Sequence, residues 1–268
     1  MPLIDYRGAI ALKLVIAALM TMVLLWGWAA ERQGRQARHR KLRDAALAVL
    51  GMVALAGWWN FGKFHFVGGY LHYHEFFHYY LGSKYFPELG YTGLYDCVAV
   101  ADAEEGFGRE ARTRWIRDLE TNELRIGSPA LLSPDLCKSR FTPDRWSVFT
   151  QDVHWFRAHL NPQKWADLAG DHGYNATPVW NIAGHLLSNT GPATWRQIRF
   201  LSFIDPVLLL AMWGVVWWAF GWRVACVAAC WWGTNYPARY TYIGGAFLRD
   251  DWLVLAVATI CLAKRGRW

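Results

Sequence analysis

Long apolar runs constrain this chain more than any other feature of its sequence. Residues 9–30 are broken only by Lys13, residues 45–62 carry no charge, and residues 200–222 carry only Asp205. A helix needs about 20 apolar residues to cross the hydrocarbon core of a bilayer. The three runs therefore predict three membrane-spanning helices, the first of which is retained rather than cleaved as a signal peptide.

Two shorter apolar runs follow near the C-terminus, at residues 224–238 and 251–263. They reach spanning length only when their aromatic flanks are counted. The composition agrees with a membrane protein, since 54% of the 268 residues are hydrophobic and 18% are charged, whereas about a quarter of residues are charged in soluble domains. We therefore predict an all-α integral membrane protein with about five transmembrane helices.

Basic residues orient these helices in the membrane. Residues 31–43 contain six basic residues and one acidic residue, and Lys264, Arg265 and Arg267 follow the last apolar run. Loops rich in Lys and Arg stay on the cytoplasmic side, and one five-helix topology brings both clusters to that side. The net charge of +7 is therefore a signal of topology and not of nucleic-acid binding.

This orientation divides the chain into three parts. Residues 1–62 would hold two transmembrane helices and the basic loop, and residues 200–268 would hold three more helices. Residues 63–199 would form a large, mostly helical extracytoplasmic region. The predicted location is the plasma membrane, as the inner membrane of a bacterium, with several crossings.

The extracytoplasmic region is predicted to be helical, with no strand expected. Proline-rich residues 127–144 should form turns, and the pair Asn161–Pro162 should interrupt the third of four helical stretches. Those stretches are residues 70–86, closed by Pro87, residues 97–125, interrupted at Gly106–Gly108, residues 145–169, and residues 178–190, a short apolar helix suited to a membrane surface.

The five cysteines fall into two groups. Cys97 and Cys137 lie in the extracytoplasmic region, where an oxidising environment would permit a disulfide. Sequence spacing does not show that two cysteines are close, so their pairing stays open. Cys226, Cys230 and Cys261 lie in apolar runs and are interpreted as packing residues.

A histidine and glutamate motif follows the second apolar run. His74, Glu75 and His78 form the pattern HExxH, which on a helix places two histidines on one face, where they could hold Zn²⁺ while the glutamate activates a water. No motif for a third ligand follows. Three interpretations stay open: aromatic packing at a helix mouth, a zinc metallopeptidase, and an active site centred on a carboxylate.

Two segments resemble the GT-C-fold membrane glycosyltransferases. The segment from Glu75 to Tyr95 is similar to the start of their first extracytoplasmic loop, where an acidic residue precedes an aromatic-rich helix and a turn, here Gly90–Tyr95. The segment from Tyr242 to Arg267 resembles their glycine-rich turn and the helix that follows it. Members usually have eight or more membrane helices, so the chain is expected to be a shortened or partial relative.

The resemblance implies transfer of a sugar from a polyprenyl phosphate donor on the extracytoplasmic side. Glu75 would act as base or as ligand of Mg²⁺ or Mn²⁺, assisted by His74 or His78. Arg249 would stabilise the phosphate leaving group, with Asp250 beside it as a further contact to the donor. The implied partners are the lipid-linked sugar donor and membrane lipid, with no nucleic acid.

Several further residues are weaker candidates for the same chemistry. Tyr79 could bind substrate, and Asp102 and Glu104 are secondary candidates for the catalytic acid. Asp205 is notable because carboxylates at membrane depth tend to be functional. A third function class also remains, a non-catalytic subunit of a membrane complex, which the short chain and its 18 Trp residues would suit.

Overall fold

The computed structural model describes residues 5–66, 69–236 and 239–267, and most of them are helical. The α-helices are α1 (Tyr6–Arg32), α2 (Arg40–Trp58), α3 (Tyr73–Phe76), α4 (Gly82–Lys84), α5 (Phe86–Leu89), α6 (Leu94–Asp102), α7 (Gly108–Thr113), α8 (Asp135–Lys138), α9 (Pro143–His159), α10 (Pro162–Leu168), α11 (Pro178–Ser188), α12 (Trp195–Ser202), α13 (Ile204–Phe220), α14 (Trp222–Thr234), α15 (Tyr240–Ile243) and α16 (Asp251–Lys264). Phe77–Leu81 and Ala103–Phe107 form π-helical turns, and Asn60–Gly62 and Pro129–Leu131 form 3₁₀ turns.

The chain folds into two compact units. One unit, called the split unit, contains Met1–His72 and Phe203–Trp268. The other, called the central unit, contains Tyr73–Ser202. Each unit has its own core, and each is described by itself.

Helices α1, α2 and α14 pack together in the split unit. Their shared core contains Ile16 and Met20 of α1, Leu47 and Ala54 of α2, and Cys230 of α14. Cys230 is therefore a packing residue, as the sequence predicted. A second group, α13 and α16, meets around Val216 and Cys261, both of which are buried.

Two glycines allow α2 and α14 to approach closely. A Cβ atom at Gly233 would lie 1.8 Å from the carbonyl oxygen of Ala54, and one at Gly51 would lie 2.9 Å from the Cβ atom of Cys226. Small residues at a helix interface let two backbones approach, which strengthens dispersion contacts along the whole interface. The contact between α2 and α14 therefore depends on the absence of side chains at these positions.

Two helical stretches of the described chain are long and apolar enough to cross a membrane, namely Tyr6–Arg32 and Trp195–Phe220. Helix α2 has 19 residues but begins with Arg40, Lys41 and Arg43. Helices α14 and α16 have 13 and 14 residues, and at 1.5 Å per residue each is about 20 Å long, shorter than the ~30 Å hydrocarbon core. Five membrane crossings therefore stay a prediction.

The central unit contains a short hairpin that the sequence did not predict. The expected helix over residues 97–125 ends at Thr113, and β1 (Trp115–Arg117) pairs antiparallel with β2 (Leu124–Ile126). The connecting turn is stabilised because the Asp118 carboxylate accepts hydrogen bonds from the backbone N–H groups of Glu120 and Thr121. Such an Asx turn competes with helix and reverses the chain.

The other helix predictions for the central unit hold with small changes. The break at Asn161–Pro162 is confirmed, because the Asn161 side chain caps α10 by accepting from the N–H of Lys164. The helix Pro178–Ser188 is also confirmed. Pro87, however, opens the short helix α5 and does not close the preceding one, since proline is well tolerated in the first turn.

A disulfide and a buried ion pair stabilise the central unit. Cys97 on α6 and Cys137 on α8 are bonded, with their Cα atoms 5.4 Å apart. Lys84 Nζ lies 2.7 Å from Asp152 Oδ2, and both side chains are almost fully buried. The Tyr85 hydroxyl and the backbone N–H of Ala193 also donate to the Asp152 carboxylate, which gives the buried charge the partners it needs.

We expect Gly233→Ala to destabilise the split unit, because its new methyl group would overlap the Ala54 carbonyl oxygen. Overpacking of this kind costs about 1–3 kcal/mol. Thermal unfolding in detergent should show a lower Tm for Gly233→Ala than for the wild type. Gly214→Ala on α13 is the matched control, since its Cβ would meet open space. Equal melting temperatures for both variants would contradict the close approach of α2 and α14.

Candidate functional site

The candidate site is built on one helical segment at the start of the central unit. Helix α3, the π-helical turn Phe77–Leu81 and α4 follow one another without interruption. The π turn adds a residue to the helical repeat, a feature that is frequent at functional sites. The ring centroids of His74 and His78 lie 4.7 Å apart, so this segment brings the two histidines of the HExxH motif side by side.

Asp171 forms a hydrogen bond with His74, one of these two histidines. Its Oδ2 atom lies 2.7 Å from His74 Nε2, and both side chains are about two-fifths exposed. The hydrogen bond from His74 holds the pKa of the Asp171 carboxyl well below its usual range, because a hydrogen bond to the charged form favours that form. Asp171 is therefore a carboxylate that orients the His74 ring.

His78 lies deeper than His74 and is held as a neutral ring. Its Nδ1 atom is 2.9 Å from the His74 carbonyl oxygen, to which only an N–H can donate, and its Nε2 atom is 2.7 Å from the Tyr95 hydroxyl. Nε2 therefore accepts a hydrogen bond from Tyr95. Burial, and to a smaller extent the neighbouring His74, lower the pKa of His78 to about 4.

Tyr95 joins this histidine to the loop that carries Asp171. Its hydroxyl oxygen accepts a hydrogen bond of 3.0 Å from the backbone N–H of Gly173. Gly173 has φ +71°, and a Cβ atom there would lie 2.7 Å from a methyl group of Leu119. Glycine is therefore needed at position 173, in the loop that places the Asp171 carboxylate next to His74.

The three side chains have the chemistry of a metal-binding set. One ligand atom from each of His74, His78 and Asp171 lies within 4.8 Å of the others. Tetrahedral Zn²⁺ with ligands at about 2.0–2.2 Å requires ligand atoms roughly 3.4 Å apart. The donor set therefore fits zinc in kind, although His74 Nε2, Asp171 Oδ2 and His78 Nε2 are already engaged in hydrogen bonds.

Glu75 and Tyr73 are the chain neighbours of His74, and Tyr73 belongs to an aromatic cluster. Glu75 is half-buried on α3. The cluster consists of Tyr73, Trp155, His159 and Trp195, in which the rings of Trp155 and His159 are stacked 4.1 Å apart and Trp195 lies edge-on to His159 at 5.0 Å. Tyr73 is parallel to His159 at 6.3 Å. Trp195 is 46% exposed, so the cluster presents aromatic surface to solvent.

Asp102 has the surroundings of a structural residue. It is 2% exposed, and its Oδ2 atom lies 2.6 Å from Arg114, 3.3 Å from Arg157 and 3.0 Å from the indole nitrogen of Trp165. These three donors give the buried carboxylate the hydrogen-bond partners that it needs. Its contacts favour a role in holding α6, α9 and α10 together over a role as catalytic acid.

Tyr79 lies on the same helical segment as the histidines and is also mostly buried. Its hydroxyl donates to Asn175 Oδ1 at 2.7 Å, and its ring packs edge-on against Tyr174 and Trp180. These contacts account for the position of Tyr79 in the core, so any contact with substrate stays a prediction.

Arg249 and Asp250 belong to the split unit. Their backbone N–H groups lie 2.9 and 3.4 Å from the two carboxylate oxygens of Asp205. Asp205 thus holds the backbone just before α16, which gives this buried carboxylate a structural role. The assignment of Arg249 and Asp250 to a donor phosphate stays a prediction.

Sequence patterns did not identify Asp171 as part of the candidate site. It lies 97 residues after His74, and no spacing rule links an HExxH motif to an aspartate at that distance. The other four histidines of the central unit do not join the described His74–His78–Asp171 group, namely His154, His159, His172 and His185. The only local sequence signal for Asp171 is the turn sequence Gly170 to Gly173, which places a polar side chain at the end of a helix.

We expect the buried, neutral His78 to make stability depend on pH. The unfolded chain binds a proton at this residue near pH 6.5, whereas the folded chain does so near pH 4. Stability should therefore fall as the pH is lowered from 6.5 to 4, by up to about 3 kcal/mol. Tm measured across this range should fall less in His78→Gln than in the wild type. His172→Gln, which alters an exposed histidine, should keep the wild-type pH dependence, and an unchanged dependence in His78→Gln would contradict the assignment.

Comparison with known proteins finds no match for this chain among family models, curated proteins or solved structures. The resemblance to GT-C glycosyltransferases rests on two short segments and stays a prediction. The features that bear on function are therefore the chemistry of the central unit and the apolar surface of the split unit.

Proposed function

We propose that this protein is a membrane-bound glycosyltransferase of GT-C type that uses a polyprenyl phosphate donor. One observation carries the proposal: a half-buried carboxylate, Glu75, lies on the same short helix as Tyr73, which opens the aromatic cluster, and His74, which is oriented by Asp171. Carbohydrate chemistry needs a carboxylate for proton transfer, and flat aromatic faces suit the apolar side of a sugar ring.

The surface of the split unit supports membrane attachment. Large apolar side chains are exposed along α1, including Leu14 at 67%, Met22 at 55% and Leu25 at 57%, and along α13, including Leu210 at 67%. Monomeric soluble proteins rarely expose contiguous apolar patches of this extent. Lipid would cover these side chains in a membrane.

The disulfide supports the proposed location of the central unit. Cys97 and Cys137 are bonded, and structural disulfides persist in oxidising compartments such as the bacterial periplasm. The central unit would therefore work outside the cytoplasm, on the side where a polyprenyl-linked sugar would be presented. A plasma-membrane location with several crossings belongs to the same proposal.

In the proposed reaction the acceptor hydroxyl attacks the anomeric carbon of the donor sugar. Glu75 takes the hydroxyl proton as the new C–O bond forms. The bond between the anomeric carbon and the phosphate oxygen breaks, and its electron pair leaves with the polyprenyl phosphate. His74, whose ring is oriented by Asp171, would hold the acceptor or the carboxylate by a hydrogen bond. In the alternative role of Glu75, its carboxylate would hold Mg²⁺ or Mn²⁺ instead of taking the proton, and the metal would offset charge on the phosphate.

We expect Glu75→Gln to abolish sugar transfer with little effect on folding. The amide cannot accept the proton, and loss of a general base typically costs about 10²–10⁴-fold in rate. The measurement is consumption of polyprenyl phosphate hexoses by the purified protein, with Tm as a check on folding. Glu123→Gln, in an exposed position of the hairpin, is the matched control and should keep wild-type activity. Wild-type turnover by Glu75→Gln would refute the role of this carboxylate.

A zinc metallopeptidase is the second candidate, and a specific observation favours it. Asp171 supplies the third ligand that the HExxH motif lacked in sequence, within 4.8 Å of both histidines. Two histidines, one carboxylate and an open position form a usual catalytic zinc set, with Glu75 as the base that activates water. This candidate predicts peptide hydrolysis that chelators abolish.

A further inference from the structure

The split unit contains a groove that the proposed transfer reaction does not use. It lies where the C-terminal end of α1 meets the N-terminal ends of α2 and α14, and its volume is about 690 Å³. This is within the range of ~300–1,000 Å³ that small-molecule sites occupy. The groove is at the same end of the helices as the basic segment 31–43.

The walls of the groove change from apolar to basic along its length. Val23 and Leu24 of α1 and Leu47 of α2 line one part. Arg40 and Arg43 of α2 and Arg223 of α14 line the other. An amphiphile with an apolar chain and an anionic head would match both parts.

One of the two carboxylates in the groove is already paired with an arginine. The Asp44 carboxylate accepts hydrogen bonds of 2.8 and 2.7 Å from Arg223. That contact, with the nearby charges of Arg40 and Arg43, lowers the pKa of Asp44. Glu31 is the other acidic residue of the lining, so three arginines face two carboxylates and the groove keeps a net positive charge.

Arg43 and Arg40 carry this positive charge in different ways. Arg43 donates to the carbonyl oxygens of Arg38 at 2.8 Å and Gln36 at 2.6 Å, and these contacts fix its position. Because both acceptors are uncharged, they do not neutralise the positive charge of Arg43. The Arg40 side chain is 64% exposed, and its Nε atom lies 3.9 Å from Asp44. Arg40 can therefore turn its guanidinium toward an incoming anion.

We propose that this groove binds the headgroup of an anionic phospholipid, with one acyl chain along Val23, Leu24 and Leu47. The net positive charge supplied by Arg40 and Arg43 favours a headgroup with net negative charge over a zwitterionic one. The apolar wall selects a lipid over a free phosphate, because Leu24 and the neighbouring Trp28 are exposed on α1 at 42% and 54% and continue the apolar wall out of the groove. The proposal depends on membrane attachment of the split unit and is independent of the reaction in the central unit.

The test is native mass spectrometry of the detergent-solubilised full chain with added phosphatidylglycerol or phosphatidylcholine. We expect one phosphatidylglycerol to bind about fivefold more tightly than phosphatidylcholine, and Arg40→Gln to remove that preference. Lys41→Gln removes the same charge from a neighbouring position outside the lining and should leave the preference intact. Glycerol phosphate should not displace the lipid.

A second pair of variants tests the apolar part without altering charge. A side chain at Gly27, which lines the groove, would meet open space, so Gly27→Phe should fill it and lower phosphatidylglycerol binding about fivefold. Gly214→Phe adds the same ring at another open helical position and should bind normally. Any one of four results would overturn the proposal. These are equal binding of both lipids, equal effects of Arg40→Gln and Lys41→Gln, normal binding by Gly27→Phe, and displacement of the lipid by glycerol phosphate.

Discussion

The hydrogen bond between His74 and Asp171 is the contact on which the candidate site depends. It joins a helix at the start of the central unit to a loop 97 residues later, with 2.7 Å between the two atoms. The contact orients the His74 ring, and the same loop reaches His78 through Gly173 and Tyr95. The HExxH motif becomes part of a three-dimensional site only because the chain between His74 and Asp171 folds back on itself.

A buried network holds the far end of the same helical segment. The Asp152 carboxylate contacts the Lys84 ammonium and accepts a hydrogen bond from the Tyr85 hydroxyl. The Tyr80 hydroxyl donates to the carbonyl oxygen of Gly191. Buried charges destabilise a fold unless they are paired and hydrogen-bonded, and here the pair meets that requirement. The helix that carries Glu75 is thus fixed at both ends, which suits a site whose groups must hold their positions during a reaction.

Sequence patterns could predict the helices and the pairing of His74 with His78, because both follow from helical periodicity within a few residues. They could not predict Asp171, since contacts between distant residues leave no spacing in the sequence. The hairpin at Trp115–Ile126 was missed because its strands have three residues each, too few for alternation to be visible. Asp102 resembled a free acid in sequence, and its role as a partner of Arg114 and Arg157 emerges only from the packing of three helices.

The central claim is that Glu75 works as a carboxylate base for sugar transfer and that the neighbouring histidines are not a zinc site. The most direct measurement is elemental analysis of the detergent-purified protein, with His78→Ala and Glu75→Gln beside the wild type. The account predicts no stoichiometric zinc in any of the three, because Tyr95 and Asp171 already engage the two histidines. One zinc per chain in the wild type that is lost in His78→Ala would contradict it and favour the metallopeptidase.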